Sequence, residues 1–255
     1  MTGEPDRLAR EQAFHDARFA DGTAHRSADR FYVLNQASDA YFRARLDGVR
    51  SGAKVLDYGC GDGAYGALHA ATRDDLDITA IDLSPVAIEQ ARDRARSAGV
   101  SDRIDFRVMN AERLELPDGE FDYVVGLGVL HHLDLTSSLR EIRRVLKRDG
   151  GGVFVEPMGH NPLINLYRGR TPDQRTSDEH PLLVSDIEEI ERSFQSCDAS
   201  YFHLFGLLAF PLRATRYLQV AARRLDALDQ VAFREIPYLR RHAWMVGLSV
   251  AGPRG

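Results

Sequence analysis

The stretch "VLDYGCGDGAYG", residues 55–66, sets the reading of everything around it. A short apolar run reaches Asp57, and glycines follow at positions 59, 61 and 63. Glycines at this spacing let a chain turn sharply and let a ligand lie directly against the peptide backbone. A helix beyond them would add unpaired N–H groups at its N-terminus.

Working outward, short apolar runs alternate with charged helical segments from Lys54 onward, which predicts a parallel α/β sheet. Strands are predicted at Lys54–Asp57, Asp77–Asp82, Ile104–Val108, Tyr123–Gly126 and Gly152–Glu156. Two more are predicted at Ala199–Phe205 and Trp244–Ala251. Helices are predicted at Tyr65–Thr72, Pro85–Ala98, Ser137–Lys147 and Asp186–Phe194. The second of these carries its own boundaries, because Ser84 can cap it, Pro85 suits its first turn and Gly99 suits its stop. The N-terminal region predicts a helix around Arg7–Arg18 and another across residues 31–49. The division expected is a helical cap over residues 1–50 and a core over residues 51–255. Two segments, about 157–184 and 206–241, leave the carboxyl ends of strands and are expected to rim a pocket.

Composition excludes several classes. A formal net charge of −5 argues against a dedicated nucleic-acid binder. The sequence has no apolar run of about 18 residues, so no transmembrane helix is expected. Cys60 and Cys197 lie far apart and make no metal-ligand spacing, which fits free thiols in a reducing, cytoplasmic setting.

Two ligand classes fit the glycine loop. Gly59, Gly61 and Ala64 satisfy the loose G-x-G-x-x-G/A dinucleotide pattern, and Asp82 follows at the spacing of a ribose-binding acid. A carboxylate at Asp57 would sit badly beside a pyrophosphate but well beside a cationic amino acid. In "VMNAERLELPDGEFDYVV" Asn110 can pair with an adenine amino group. A strand, long insert and strand also replace the second nucleotide-binding half expected of a dinucleotide fold. These three features favour a sulfonium nucleoside.

The motifs carry a resemblance. "VLDYGCGDG", "AIDLS", "NAERLELPDGEFDYVV" and "GVLHHL" stand in the order and spacing of the class I S-adenosylmethionine-dependent methyltransferases, of the small-molecule and quinone-type group. The likeness covers about residues 50–157. It implies a Rossmann-like seven-stranded sheet, mostly parallel with an antiparallel last strand and helices on both faces. A helical N-terminal lid and a helical insert before the last strand are expected with it. It implies S-adenosyl-L-methionine as cofactor and S-adenosyl-L-homocysteine as product. Asp57, Gly59, Cys60, Gly61 and Gly63 would hold the methionine part. Asp82 would hold the ribose, Leu83, Asn110 and Ala111 the adenine, and Gly126 and Leu127 would face the sulfonium. Asn110 replaces the Asp of many relatives, so weaker adenine recognition is expected.

Candidates for proton removal lie beyond the carboxyl ends of the strands: His131, His132 and Glu156. His160 and His180 are candidates for the substrate side, and Tyr32 for a lid contact, with Phe19, Phe31 and Tyr41 as further lid aromatics. No ligand spacing supports a metal site, so none is expected. "FHLFGLLAFPL", residues 202–212, offers an apolar surface for a hydrophobic acceptor, for a homodimer, or for burial against the sheet. The reading is a methyltransferase of a small hydrophobic molecule (a prenyl, polyketide or aromatic natural product), with O- or C-methylation favoured. A nicotinamide-dependent oxidoreductase and a non-catalytic cofactor-binding subunit are the alternatives.

Overall fold

The computed structural model describes residues 4–21, 34–171, 176 and 178–254. Helix α1 (Glu4–Ala20) and helix α2 (Gln36–Asp47) precede the sheet. The first half then follows as β1 (Lys54–Tyr58), α3 (Ala67–Ala70), β2 (Asp77–Asp82), α4 (Pro85–Ser97), β3 (Ile104–Val108) and β4 (Phe121–Leu127). The second half runs α5 (Leu135–Val145), β5 (Leu146–Pro157), α6 (Pro162–Arg170), α7 (Val184–Ser193), β6 (Phe194–Phe202), α8 (Leu218–Glu235) and β7 (Met245–Pro253).

The seven strands form one sheet in the order β3-β2-β1-β4-β5-β7-β6. The pairs from β3 across to β5 are parallel, and β7 runs antiparallel to both β5 and β6. This is the Rossmann-like architecture expected from the sequence. Val55, Val125 and Val153 point into one apolar layer with α2, α3 and α4. Leu56, Val124 and Phe154 point into the other with α5 and α7. Strands covered on both faces explain the near-continuous apolar runs that revealed them.

Local chemistry sets the helix starts. Ser84 Oγ accepts the Ala87 N–H at 3.0 Å, with Pro85 in the first turn. Asp134 accepts the Ser137 N–H at 2.8 Å, one turn ahead of the expected start at Ser137. Asn161 Oδ1 accepts the Leu163 and Ile164 N–H groups at 3.0 and 3.1 Å and starts α6. The third expected helix stops at Val145, because Leu146 already adopts extended backbone and opens β5.

β6 starts five residues earlier than expected and ends at Phe202. It stops there because His203 takes a left-handed φ of 63°. Its buried ring spans Ser38 Oγ and Asp226 Oδ1, each at 3.1 Å. Beyond it, Asp229 accepts the N–H groups of Leu204, Phe205 and Gly206 at 2.9, 2.7 and 3.3 Å. The apolar run that follows is a short 3-10 segment, Gly206–Leu212. Its Leu207 and Ala209 are buried in the core layer with Leu34 and Phe42. Burial against the body of the protein therefore accounts for much of "FHLFGLLAFPL". Among the described residues, no helix is long and apolar enough to cross a membrane.

Asp229 is wholly buried and satisfies three backbone donors. Its replacement by Ala leaves them without a partner. The expected cost is about 2–4 kcal/mol, at about 1–3 kcal/mol for each stranded group after partial rescue by water. Urea unfolding checks it: the midpoint of Asp229→Ala should fall with the slope unchanged.

Candidate active site

A cavity of about 340 Å³ opens at the carboxyl ends of the parallel strands. That is the side on which open α/β sheets bind ligands, and the volume is that of a small-molecule site. Its floor is the glycine loop. Gly59 has φ 73°, and a Cβ there would lie 2.3 Å from Val129 Cγ2. Only glycine fits, since backbone and space both exclude a side chain.

Two acids hold this loop from different sides. The half-buried Asp82 closes β2 with both oxygens engaged. Oδ2 accepts the Gly61 N–H at 2.8 Å and Oδ1 the Ser84 N–H at 2.9 Å. Each oxygen keeps a second lone pair, and the residue lines the cavity. Burial raises its pKa against the pull of those two N–H groups. Asp57 lies behind the loop and does not line the cavity. It is 3% exposed and accepts the Ala67 N–H at 2.6 Å, capping α3. A Cβ at Gly66 would meet its Oδ2 at 2.4 Å. Burial pushes the Asp57 carboxyl up to about 7, the Ala67 N–H opposes this, and the Asp82 charge adds to it.

Of the residues expected around a nucleoside, Gly59, Cys60, Gly61, Asp82, Leu83, Asn110, Ala111 and Leu127 line the cavity. Gly63 and Gly126 do not. Gly63 packs on Ala91 and Phe106, and Gly126 on Phe154 and Val129. Asn110 Oδ1 accepts the Glu112 N–H at 2.9 Å, so one acceptor site of that amide is already spent on its own turn.

The opposite wall carries the histidines. Glu156 is fully buried and does not line the cavity. Its Oε1 accepts the Val129 and Leu130 N–H groups, each at 2.9 Å. Its Oε2 lies 2.7 Å from His131 Nδ1. An acceptor there fixes the proton on Nδ1 and leaves Nε2 with the lone pair. His131 lines the cavity. His132 does too, and burial first, then the charge of His131, depress its pKa to about 4 against the pull of Glu11. His160 and His180 lie elsewhere. His160 Nε2 takes the Val184 N–H, and His180 is exposed with its own N–H on the His131 carbonyl.

Sequence reasoning passed over most of one face of α1. Arg7, Leu8, Glu11, His15, Arg18 and Phe19 line the cavity at helical spacing. Phe19 Cζ sits 3.3 Å from where a Gly61 Cβ would be, so the helix rests on the glycine loop. Arg7 pairs with the buried Glu112, and Asp16 takes the Ser84 hydroxyl. The i, i+4 pair Glu11 and His15 was the available signal. Phe31 and Tyr32 lie outside the described residues, and Tyr41 packs on Phe202 away from the cavity. The rim segments contribute little. Pro157 lines the cavity, and among the described residues none from 158–184 or 206–241 does.

Comparison with known proteins agrees with this geometry. Residues 55–150 match the family described as Methyltransferase domain. A 27-O-demethylrifamycin SV methyltransferase of Amycolatopsis mediterranei is 41% identical over 103 residues, which is 40% of this chain and 38% of the relative. A ubiquinone biosynthesis O-methyltransferase of Xanthomonas oryzae is 36% identical over 133 residues, 51% of this chain and 53% of the relative. The matched segments thus span between two fifths and about half of these relatives' lengths. In fold, the chain is similar to the Haemonchus contortus phosphoethanolamine N-methyltransferase 2 solved with S-adenosyl-L-methionine. The TM-score is 0.62 at 19% identity, covering 86% of this chain and 53% of that one. Residues 55–150 thus carry a methyltransferase domain.

The buried Asp57 carboxyl generates a pH test. Its folded pKa of about 7 lies above the ordinary 3.8, so it favours the folded state fully below about pH 4. That contribution is lost as pH rises toward about 7. Asp57→Asn removes the titration. Its stability relative to the unaltered protein should therefore rise between about pH 4 and 7 and level off above, as read by urea midpoints across that range.

Proposed function

We propose that this chain transfers a methyl group from S-adenosyl-L-methionine to a small, hydrophobic acceptor, at oxygen or carbon. The carrying observation is one cavity that joins the glycine-loop floor and Asp82 to a wall bearing an oriented histidine. The floor fits the cofactor. Asp82 keeps lone pairs for ribose hydroxyls between the apolar Leu83 and the backbone of the glycine loop. Asp62 and Asp82 line the cavity at that loop, a field that welcomes a sulfonium and an ammonium and repels a pyrophosphate. Gly59, Cys60 and Gly61 would hold the methionine end, and Leu83, Asn110 and Ala111 the adenine. The bound cofactor supplies an electrophilic methyl that needs alignment more than activation.

The protein's own residues do the rest. His131, held by Glu156 through Nδ1, keeps Nε2 free to take a proton from an acceptor hydroxyl or acidic C–H. Glu156 acts through His131, as a positioning residue. Leu8, Leu127, Val129, Trp244 and Met245 give the wall an apolar part beside the polar Arg7, Glu11, His15 and Arg18, which supports an acceptor with a lipophilic portion. In this reading residues 1–50 are a cap and 51–255 the core. The acceptor is a small molecule and not a nucleic acid, and the two free thiols suit a cytoplasmic setting. The relatives named above act on a rifamycin and a ubiquinone precursor, which supports a natural-product or quinone-like acceptor.

The oxidoreductase alternative is disfavoured by the antiparallel β7 inserted between β5 and β6, where a dinucleotide fold continues in parallel. Calorimetry separates the two: S-adenosyl-L-homocysteine should bind and NADH should not. Asp82→Ala should weaken that binding about tenfold or more, one lost charge-assisted hydrogen bond being worth about 1.5–3 kcal/mol. Radiolabelled methyl transfer across acceptor classes tests the rest. Binding without transfer to any acceptor would favour the non-catalytic subunit. His131→Gln should lower kcat about 10²–10⁴-fold with cofactor affinity retained. Glu156→Gln should lower kcat and displace the lower limb of its pH profile, which a merely structural role would leave in place.

A further inference from the structure

We propose that Glu11 Oε2, His15 Nε2 and His132 Nδ1 form a binding site for a divalent transition-metal ion in the cavity wall, with open positions for an oxygen donor. The three side chains come from two separate segments, α1 and the turn after β4, and all line the cavity. Their donor atoms lie within 4.8 Å of one another. Glu11 Oε2 stands 3.5 Å from His15 Nε2 and 3.4 Å from His132 Nδ1. Neither contact has hydrogen-bond geometry. Glu11 Oε2 and His132 Nδ1 are both buried with no hydrogen-bond partner, and Glu11 is only 3% exposed.

Two stranded buried atoms facing each other across 3.4 Å cost stability unless something lies between them. An ion does so. Metal–nitrogen and metal–carboxylate bonds of about 2.0–2.1 Å place tetrahedral neighbours about 3.4 Å apart. The spacing across Glu11 therefore matches an ion better than it matches a direct bond. Two imidazoles and one carboxylate, with positions left open, suit Zn²⁺, Fe²⁺, Co²⁺ or Mn²⁺. The second layer is also present. Thr176 Oγ1 donates to Glu11 Oε1, which leaves Oε2 for the ion, and an Arg7 N–H reaches the His132 carbonyl.

A neighbouring set, His131, His132 and Glu179, shares His132. Its carboxylate is engaged elsewhere, since Glu179 pairs with Arg168 at 2.9 Å. The Glu11 set is the one with donors to spare. The site does not depend on the methyl-transfer reading. Together with it, the open positions would hold a hydroxyl, phenolate or enolate oxygen beside the cofactor.

The test titrates metal-stripped full chain with Co²⁺ and Zn²⁺, without cofactor or acceptor, followed by calorimetry and visible absorption. One ion per chain is expected, with Co²⁺ ligand-field bands of a nitrogen- and oxygen-ligated site. Glu11→Gln and His15→Gln should each weaken binding beyond the about 10–100-fold that loss of an outer partner costs. His69→Gln, whose ring pairs with Asp47 outside the cavity lining, should bind as tightly as the unaltered chain. Histidine NMR on the unaltered chain keeps the test independent of variant folding: Zn²⁺ should move the ring signals of His15 and His132. Uptake of less than one ion, unmoved His15 and His132 signals, or full affinity in Glu11→Gln and His15→Gln would overturn the site.

Discussion

The buried carboxylate of Glu156 sets the arrangement on which the rest of this cavity depends. At the end of β5 it gathers the N–H groups of Val129 and Leu130 and the Nδ1 of His131. Those backbone groups belong to a turn that no neighbouring strand can satisfy, and leaving them bare inside the protein would be costly. One acid therefore folds the turn and fixes the imidazole together. The same turn places Val129 against Gly59, so the histidine wall and the glycine floor are set relative to each other through direct packing.

The other carboxylates at strand ends repeat the logic with different results. Asp82 spends one lone pair per oxygen on the loop and keeps the others for a ligand. Asp57 spends itself on the start of α3 and is sealed in, which is why its proton is held to unusually high pH. Two acids at neighbouring strand ends, both expected at the cofactor from the sequence, thus divide into one that faces the cavity and one sealed behind the loop. The division follows from which face of the loop each strand end reaches.

That division marks what the sequence could reveal. The sheet from residue 54 to 157 was legible because its strands are covered on both faces and its glycines and acids fall at fixed spacings. The core of the floor, Gly59 to Gly61 with Asp82 to Leu83, was legible for the same reason. The start of β6 was not, because no breaker separates it from α7 and only the sheet decides where extension begins. The fate of residues 206–212 was equally hidden, since an apolar run reads the same whether it faces a ligand or a core. The contribution of Glu11 and His15 needed the helix to be placed on the cavity, and the pair alone also reads as an ordinary surface contact.

The one-sided use of α1 has a broader bearing. Six wall residues fall on a single stripe of one helix, joined to the sheet body by an Arg7–Glu112 pair, a Ser84–Asp16 bond and the Phe19 contact. Such a wall is modular. Relatives could trade this one segment for another and acquire a new appetite for acceptors, while the nucleoside floor, the turn and its acid stayed untouched. A change of acceptor would then be written in this helix, while the floor, built from other segments, keeps its ligand.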